Sequence, residues 1–163
     1  MGRGLMIRRI REEDVEAVTN LVYELAEYER ARDECHVTPD QLHKALFCDE
    51  PKLFGHVAEV DGRVVGMALW FLNFSTWDGV HGLYLEDLYV TPSQRGSGLG
   101  KALLEELAAE CVRNGYTRLQ WSVLDWNTPS IDFYKSLGAV PTPEWLGMRV
   151  TGAALNLLGH PQD

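Results

Sequence analysis

The segment Arg95-Gly96-Ser97-Gly98-Leu99-Gly100-Lys101 constrains this chain more than any other. It follows an apolar, strand-like run ending at Val90 and opens a helix whose inner face, Leu99, Ala102, Leu103 and Leu107, carries it to about Asn114, where Gly115 is placed to cap it. Alternate glycines let backbone N–H groups converge on a ligand with no Cβ in the way. The helix start adds unpaired donors and the positive end of its dipole. This suits a pyrophosphate. A triphosphate loop of the form G-x-x-x-x-G-K-[ST] is excluded: Gly96 to Gly100 is one residue short, and Ala102 stands where a magnesium-binding hydroxyl is needed. The dinucleotide fingerprint G-x-G-x-x-G is excluded too, because Gly96, Gly98 and Gly100 are spaced G-x-G-x-G in mid-chain. An ordinary glycine-rich turn is the plainer alternative for the loop by itself.

The surrounding periodicities alternate between strand and helix with no linker or repeat. Ile7 to Ile10 reads as a first strand. Val15, Val18, Leu21, Val22 and Leu25 mark a helix ending near Arg30. Thr38-Pro39-Asp40-Gln41 is a capping box for a second helix with Leu42, Ala45 and Leu46 on its apolar face. Asp61-Gly62 between Phe54–Val60 and Arg63–Asn73 predicts a hairpin. Gly82 to Val90 is a third antiparallel strand, reached through Thr76-Trp77-Asp78-Gly79. After the glycine loop and its helix, Leu119, Trp121 and Val123 alternate as a strand, and Thr128-Pro129 caps a short helix with Ile131, Phe133, Tyr134 and Leu137, closed by Gly138. Trp145 to Val150 and Ala153 to Leu158 read as a last strand and helix. The expected class is α+β, a mixed, mostly antiparallel sheet flanked by helices.

With 163 residues and 45% hydrophobic content, a single domain over residues 1–163 is expected. No run approaches a membrane span, and Met1-Gly2-Arg3-Gly4 opens neither a signal peptide nor a myristoylation site, so a cytoplasmic protein is expected. Cys35, Cys48 and Cys111 are too scattered for a zinc pair and read as reduced structural thiols, with no metal site. A formal charge of −9 opposes nucleic acid and favours a cationic substrate, although acidity also serves solubility alone.

Several separated blocks then point one way. Leu83-Tyr84-Leu85-Glu86-Asp87-Leu88-Tyr89-Val90, R-x-x-G-x-G at Arg95, Gly98 and Gly100, Asp125-Trp126-Asn127, and Phe133-Tyr134-Lys135-x-x-Gly138-Ala139 resemble the diamine and spermidine N-acetyltransferase branch of the GNAT superfamily. The likeness runs from about Ile7 to Leu158. Ser75-Thr76-Trp77 and Val123-Leu124-Asp125-Trp126-Asn127 look more like the thialysine N-epsilon-acetyltransferases of that branch, because the spermidine enzymes carry an acid where Ser75 aligns.

The resemblance implies acetyl-CoA as co-substrate, a small amine as acceptor and a homodimer with Leu146 to Val150 at the interface. It implies main-chain contacts to the cofactor from Leu88, Tyr89 and Val90, further contacts from Arg95, Gly96, Ser97, Gly98, Leu99, Gly100 and Lys101, and a second contacting segment at Asn127 to Ser130. Tyr28, Glu29, Trp77, Glu86 and Asp87 would meet the substrate. An alkylammonium of pKa about 10.4 must lose its proton before it attacks a thioester. Glu86 is the best-placed acceptor, acting through water or with a pKa raised by burial near Asp87. Tyr134 would return a proton to the departing thiolate. The plainer readings are a salt-bridged Glu86, a packed core Tyr134 and an Asn127 that only caps its helix. Cys111 lies away from Glu86, so direct transfer is expected. Two other functions stay open: an acetyl-CoA sensor without turnover, and a protein or peptide lysine acetyltransferase, against which bulky Trp77, Tyr84 and Trp126 would close the groove.

Overall fold

A computed structural model describes residues 4–160, which fall into two compact units, Met1–Leu124 and Asp125–Asp163. Met1 to Arg3, which bear on the expected absence of a leader, lie outside the described residues.

The first unit is built on one sheet in the order β1-β2-β3-β4-β5. Its strands are β1 (Met6–Arg9), β2 (Phe54–Val60), β3 (Arg63–Ser75), β4 (Val80–Val90) and β5 (Leu119–Gln120). The first four pair antiparallel and β5 joins β4 in parallel. The β2–β3 hairpin turns at Asp61 and Gly62, both at positive φ (50° and 82°), as the Asp-Gly pair predicts.

Alternation along β3 divides the core. Met67 and Leu69 face α1 (Val15–Tyr28) and α2 (Pro39–Phe47), where Val18, Leu21, Leu42 and Leu46 are buried. Trp70 faces the other side, toward α3 (Leu99–Asn114): its indole N–H donates to His56 Nδ1 at 3.1 Å, and His56 Nε2 lies 4.0 Å from Glu106 of α3. The α2 capping box is complete, with Thr38 Oγ1 accepting from the Gln41 N–H and Gln41 Oε1 from the Thr38 N–H. Gly115 at φ 73° ends α3. Across β1, Arg8 forks between Asp14 and Glu59, 2.7 Å from each. Although burial opposes it, the Arg8 guanidinium and the Arg11 N–H hold the Asp14 carboxyl below its ordinary range.

Two strands differ from expectation. β5 pairs only at Leu119 and Gln120 and does not continue to Val123, because β4 offers it partners only at Leu83 and Tyr84. In the second unit, α4 (Thr128–Ser136) and α5 (Gly152–Gly159) form, but Trp145 to Val150 is not a strand. A strand exists only through a paired neighbour, and that unit contains none among the described residues.

Candidate active site

β4 is paired by β3 along one side, whereas from Leu85 to Val90 its other edge has no strand partner among the described residues. The register shows which backbone groups that edge presents. Leu83 donates its N–H outward to Arg118 O (3.0 Å), yet Thr91 donates inward, to Val65 O (2.8 Å). Residues of one parity face one way in an unbroken strand. The direction therefore reverses between them, at Glu86, the residue without a partner between the pairs Leu85↔Trp70 and Asp87↔Leu69. As a result Leu88 and Val90 turn their backbone groups to the free edge, while Tyr89 turns its own toward β3.

Tyr89 contributes its side chain instead. Its hydroxyl donates to Glu24 Oε1 of α1 at 3.3 Å, and the Arg95 guanidinium lies over its ring (5.1 Å) and over the Tyr28 ring (5.3 Å). Arg95 Nε also donates to Val90 O at 3.1 Å. Arg95 thus ties the start of the glycine loop to β4 and to the end of α1, and leaves the Val90 N–H and both backbone groups of Leu88 for a ligand.

Beyond Val90, Gly96 and Gly98 both take φ 83°, a left-handed conformation that residues with a Cβ rarely adopt. Gly98 caps α3 with no side-chain hydrogen bond, so the first-turn N–H groups around Leu99, Gly100 and Lys101 are covered by no capping side chain. Ser97 Oγ is occupied by Gln94 O. Lys101 is exposed in that turn. Two buried side-chain oxygens without hydrogen-bond partners among the described residues belong to residues beside this edge: Thr91 Oγ1 at the loop end and Gln120 Oε1 where β5 meets β4. Sequence reasoning missed both. A free strand edge leading to uncapped helix donors fits an extended ligand with an anionic end.

At the bulge the chain gathers three carboxylates. Glu29, just past the end of α1, and Asp87 are both influenced by Glu86, which is exposed. Burial, then Glu86, pushes the Glu29 carboxyl up. Burial, then Glu86 and Glu29, pushes Asp87 up to about 7. The carboxyl taken out of water here is that of Asp87, the neighbour of Glu86. Trp77 is not part of this group: it stands 89% exposed in the β3–β4 turn, roughly 20 Å along β4 from Glu86 at the usual strand rise. Ser75 is buried with Oγ accepting from the Asp78 N–H at 3.1 Å, so no acid occupies that position.

In the second unit Asn127, not Thr128, caps α4, its side chain accepting from the Ser130 N–H at 3.4 Å. Tyr134 follows on α4, its ring 5.6 Å from that of Phe133. Asn127, Ser130 and Tyr134 are therefore brought together on one short helix.

The sequence profile of the acetyltransferase (GNAT) family matches residues 17–139, which include the bulge, the glycine loop and this helix. The chain belongs to the GNAT acetyltransferase family. It is 35% identical to a thialysine N-epsilon-acetyltransferase of Bos taurus over 94% of this chain and 96% of that protein. It is 38% identical to an L-ornithine N5-acetyltransferase of Arabidopsis thaliana, over 60% of this chain and 43% of that one. Among solved structures, an integron cassette protein from the mobile metagenome of V. cholerae superposes with a TM-score of 0.82 at 26% identity, covering 98% of this chain and 100% of the other. As a GNAT protein the chain is an acetyl-transferring enzyme with the five-stranded mixed sheet of that fold. No helix among the described residues is long and apolar enough to cross a membrane.

Proposed function

We propose that the protein moves acetyl from acetyl-CoA to the side-chain amine of a small basic amino acid, thialysine or a close relative, with diamines second. One observation carries this reading: three carboxylates, Glu29, Glu86 and Asp87, meet beside the free edge of β4, and one of them holds its proton up to about pH 7. The relatives named for thialysine and ornithine support the acceptor class, and the absence of an acid at Ser75 supports an amino acid over a polyamine.

The residues divide the work as follows. The uncapped start of α3 and the loop at Gly96 and Gly98 hold the pyrophosphate of acetyl-CoA, and the outward groups of Leu88 and Val90 align its arm, bringing a thioester to the bulge. Glu86 and Glu29 attract the ammonium group. Glu86 receives its proton, and Asp87, whose affinity for protons lies near neutral pH, buffers it. A carboxylate at its ordinary pKa of about 4.3 takes a proton from an ammonium of about 10.4 only with difficulty, so the raised Asp87 reduces that mismatch. To Tyr134, on α4 of the second unit, the resemblance assigns the proton for the departing thiolate. Transfer is direct. The Cys111 thiol is buried on α3, held near Arg118 O at 3.7 Å and pushed up by burial, the opposite of an activated nucleophile.

A homodimer belongs to this reading. Trp145, Leu146 and Met148 are 71%, 84% and 90% exposed on a segment with no strand partner in its own unit among the described residues, which suits pairing with a second copy. A cytoplasmic location agrees with three free thiols.

The test is thiol release from acetyl-CoA against thialysine, lysine, ornithine, putrescine, spermidine and a lysine peptide, with product masses and light scattering for the oligomer. Preference for thialysine or ornithine is expected. Peptide-only turnover would overturn the small-amine reading, and binding without turnover of any amine would make the protein a sensor.

A further inference from the structure

The ladder between β4 and β5 ends at the pair Tyr84↔Gln120, and there a side-chain bond takes over. The Tyr84 hydroxyl and the Ser122 hydroxyl lie 2.9 Å apart, joining β4 to the chain two residues beyond β5. The Tyr84 ring is held from behind by Phe71, its direct partner on β3, with ring centres 5.1 Å apart. Ser122 lies past the last paired residue of β5, so the bond spans the strands just where they cease to touch.

Its position relative to the free edge gives it a role. A ligand with its anionic end at Gly96–Gly100 and its arm along Leu88 and Val90 runs down β4 toward Glu86. Whatever its reactive end carries then points along the strand at Leu85 and Tyr84, into the place where β4 and β5 come together. On the reading that this edge takes an acyl-CoA, we propose that the Tyr84–Ser122 bond sets the length of acyl chain the protein accepts. An acetyl methyl stops short of the bridge. Each further methylene pushes the chain against a ring that is fixed on one side by Phe71 and on the other by the Ser122 hydroxyl, so a longer chain fits only if that bond opens.

The magnitude follows from the bond. A neutral hydrogen bond of this kind contributes about a fivefold factor to an equilibrium. Removing either hydroxyl while keeping the ring spares longer chains that cost. Tyr84→Phe and Ser122→Ala are both mild changes, the second at an exposed residue, and the urea midpoint of each variant checks that it folds. The measurements are the dissociation constants of CoA, acetyl-CoA, propionyl-CoA and butyryl-CoA by titration calorimetry, and kcat/KM for the three acyl donors with one amine. The expected result is a butyryl-to-acetyl ratio raised about fivefold in both variants, in binding as in turnover, with propionyl between. Ratios within twofold of the unaltered protein, in variants that still bind acetyl-CoA, would overturn the gauge and leave the acyl-CoA cleft standing. Failure of the unaltered protein to bind any of the four ligands would overturn the cleft reading, and the gauge with it.

Discussion

Replacing Asp87 by Asn isolates the energetic consequence of gathering acids at the bulge. In the folded protein Asp87 keeps its proton up to about pH 7, against 3.8 for the free side chain. Below pH 3.8 both states are protonated and the group contributes nothing to the balance. Between there and neutrality the unfolded chain has released the proton and the folded one has not, so stability falls as pH rises, by about 1.4 kcal/mol per pH unit. Above pH 7 the penalty is complete, with a ceiling of roughly 4 kcal/mol. Asn carries no such penalty. Asp87→Asn should therefore raise stability by only about 0.5 kcal/mol at pH 4, by about 1.5 kcal/mol at pH 5 and by up to about 4 kcal/mol at pH 8. In a chain of this size about 4 kcal/mol lifts the melting temperature by something on the order of 10 °C. Urea unfolding of both proteins at these three pH values gives the comparison, with amine turnover measured alongside and expected to fall. A gain that does not grow with pH, or a loss at pH 8, would refute the reasoning that Asp87 is held protonated by burial among carboxylates.

Other expectations concern the scaffold and the loop. Arg8→Ala leaves Asp14 buried beside only the Arg11 N–H and should cost about 3 to 5 kcal/mol in urea unfolding, since the Arg8 and Asp14 side chains are 11% and 6% exposed. His56 is held neutral by burial, then by Arg9, with its Nδ1 accepting from Trp70. The unfolded chain gains a proton below about pH 6.5 and the folded one does so only lower, so stability should fall as pH drops through that window. His56→Gln should flatten that slope, and an unchanged slope would assign the acid sensitivity elsewhere. Gly98→Ala meets no atom within 4 Å but must hold φ 83°, so it should cost about 1 to 2 kcal/mol of stability and raise the dissociation constant for acetyl-CoA.

What the sequence disclosed was what local chemistry decides. The Asp61-Gly62 hairpin, the Thr38–Gln41 box and the span from Leu99 to Asn114 each depend on side chains a few residues apart, and each forms as expected. The features that went unread depend on pairing. Whether Leu119 to Val123 continues as a strand is settled by how far β4 runs beside it, and Trp145 to Val150 by whether a neighbour exists. The bulge did leave a trace: apolar residues fall at Leu83 and Leu85, then at Leu88 and Val90, a change of parity across Glu86. The raised Asp87 carboxyl is not legible in the sequence, because proximity of charges shows there whereas the desolvation that dominates here does not. In sequence Arg95 belongs with the loop it begins, yet its guanidinium lies over rings contributed by α1 and β4.

The single extra residue in β4 has a consequence for how this protein can vary. Glu86 supplies a carboxylate, and by occupying an unpaired position it also turns Leu88 and Val90 outward. Exchanging its side chain alters only the first contribution. Deleting it, or inserting a neighbour, shifts the phase of everything up to Val90, turning the outward donors of the free edge into the sheet and exchanging the buried and exposed faces of the strand. Between Leu83 and Thr91 the chain can therefore tolerate changes of residue type and no change of length, and a library at position 86 should vary the letter while keeping the count fixed.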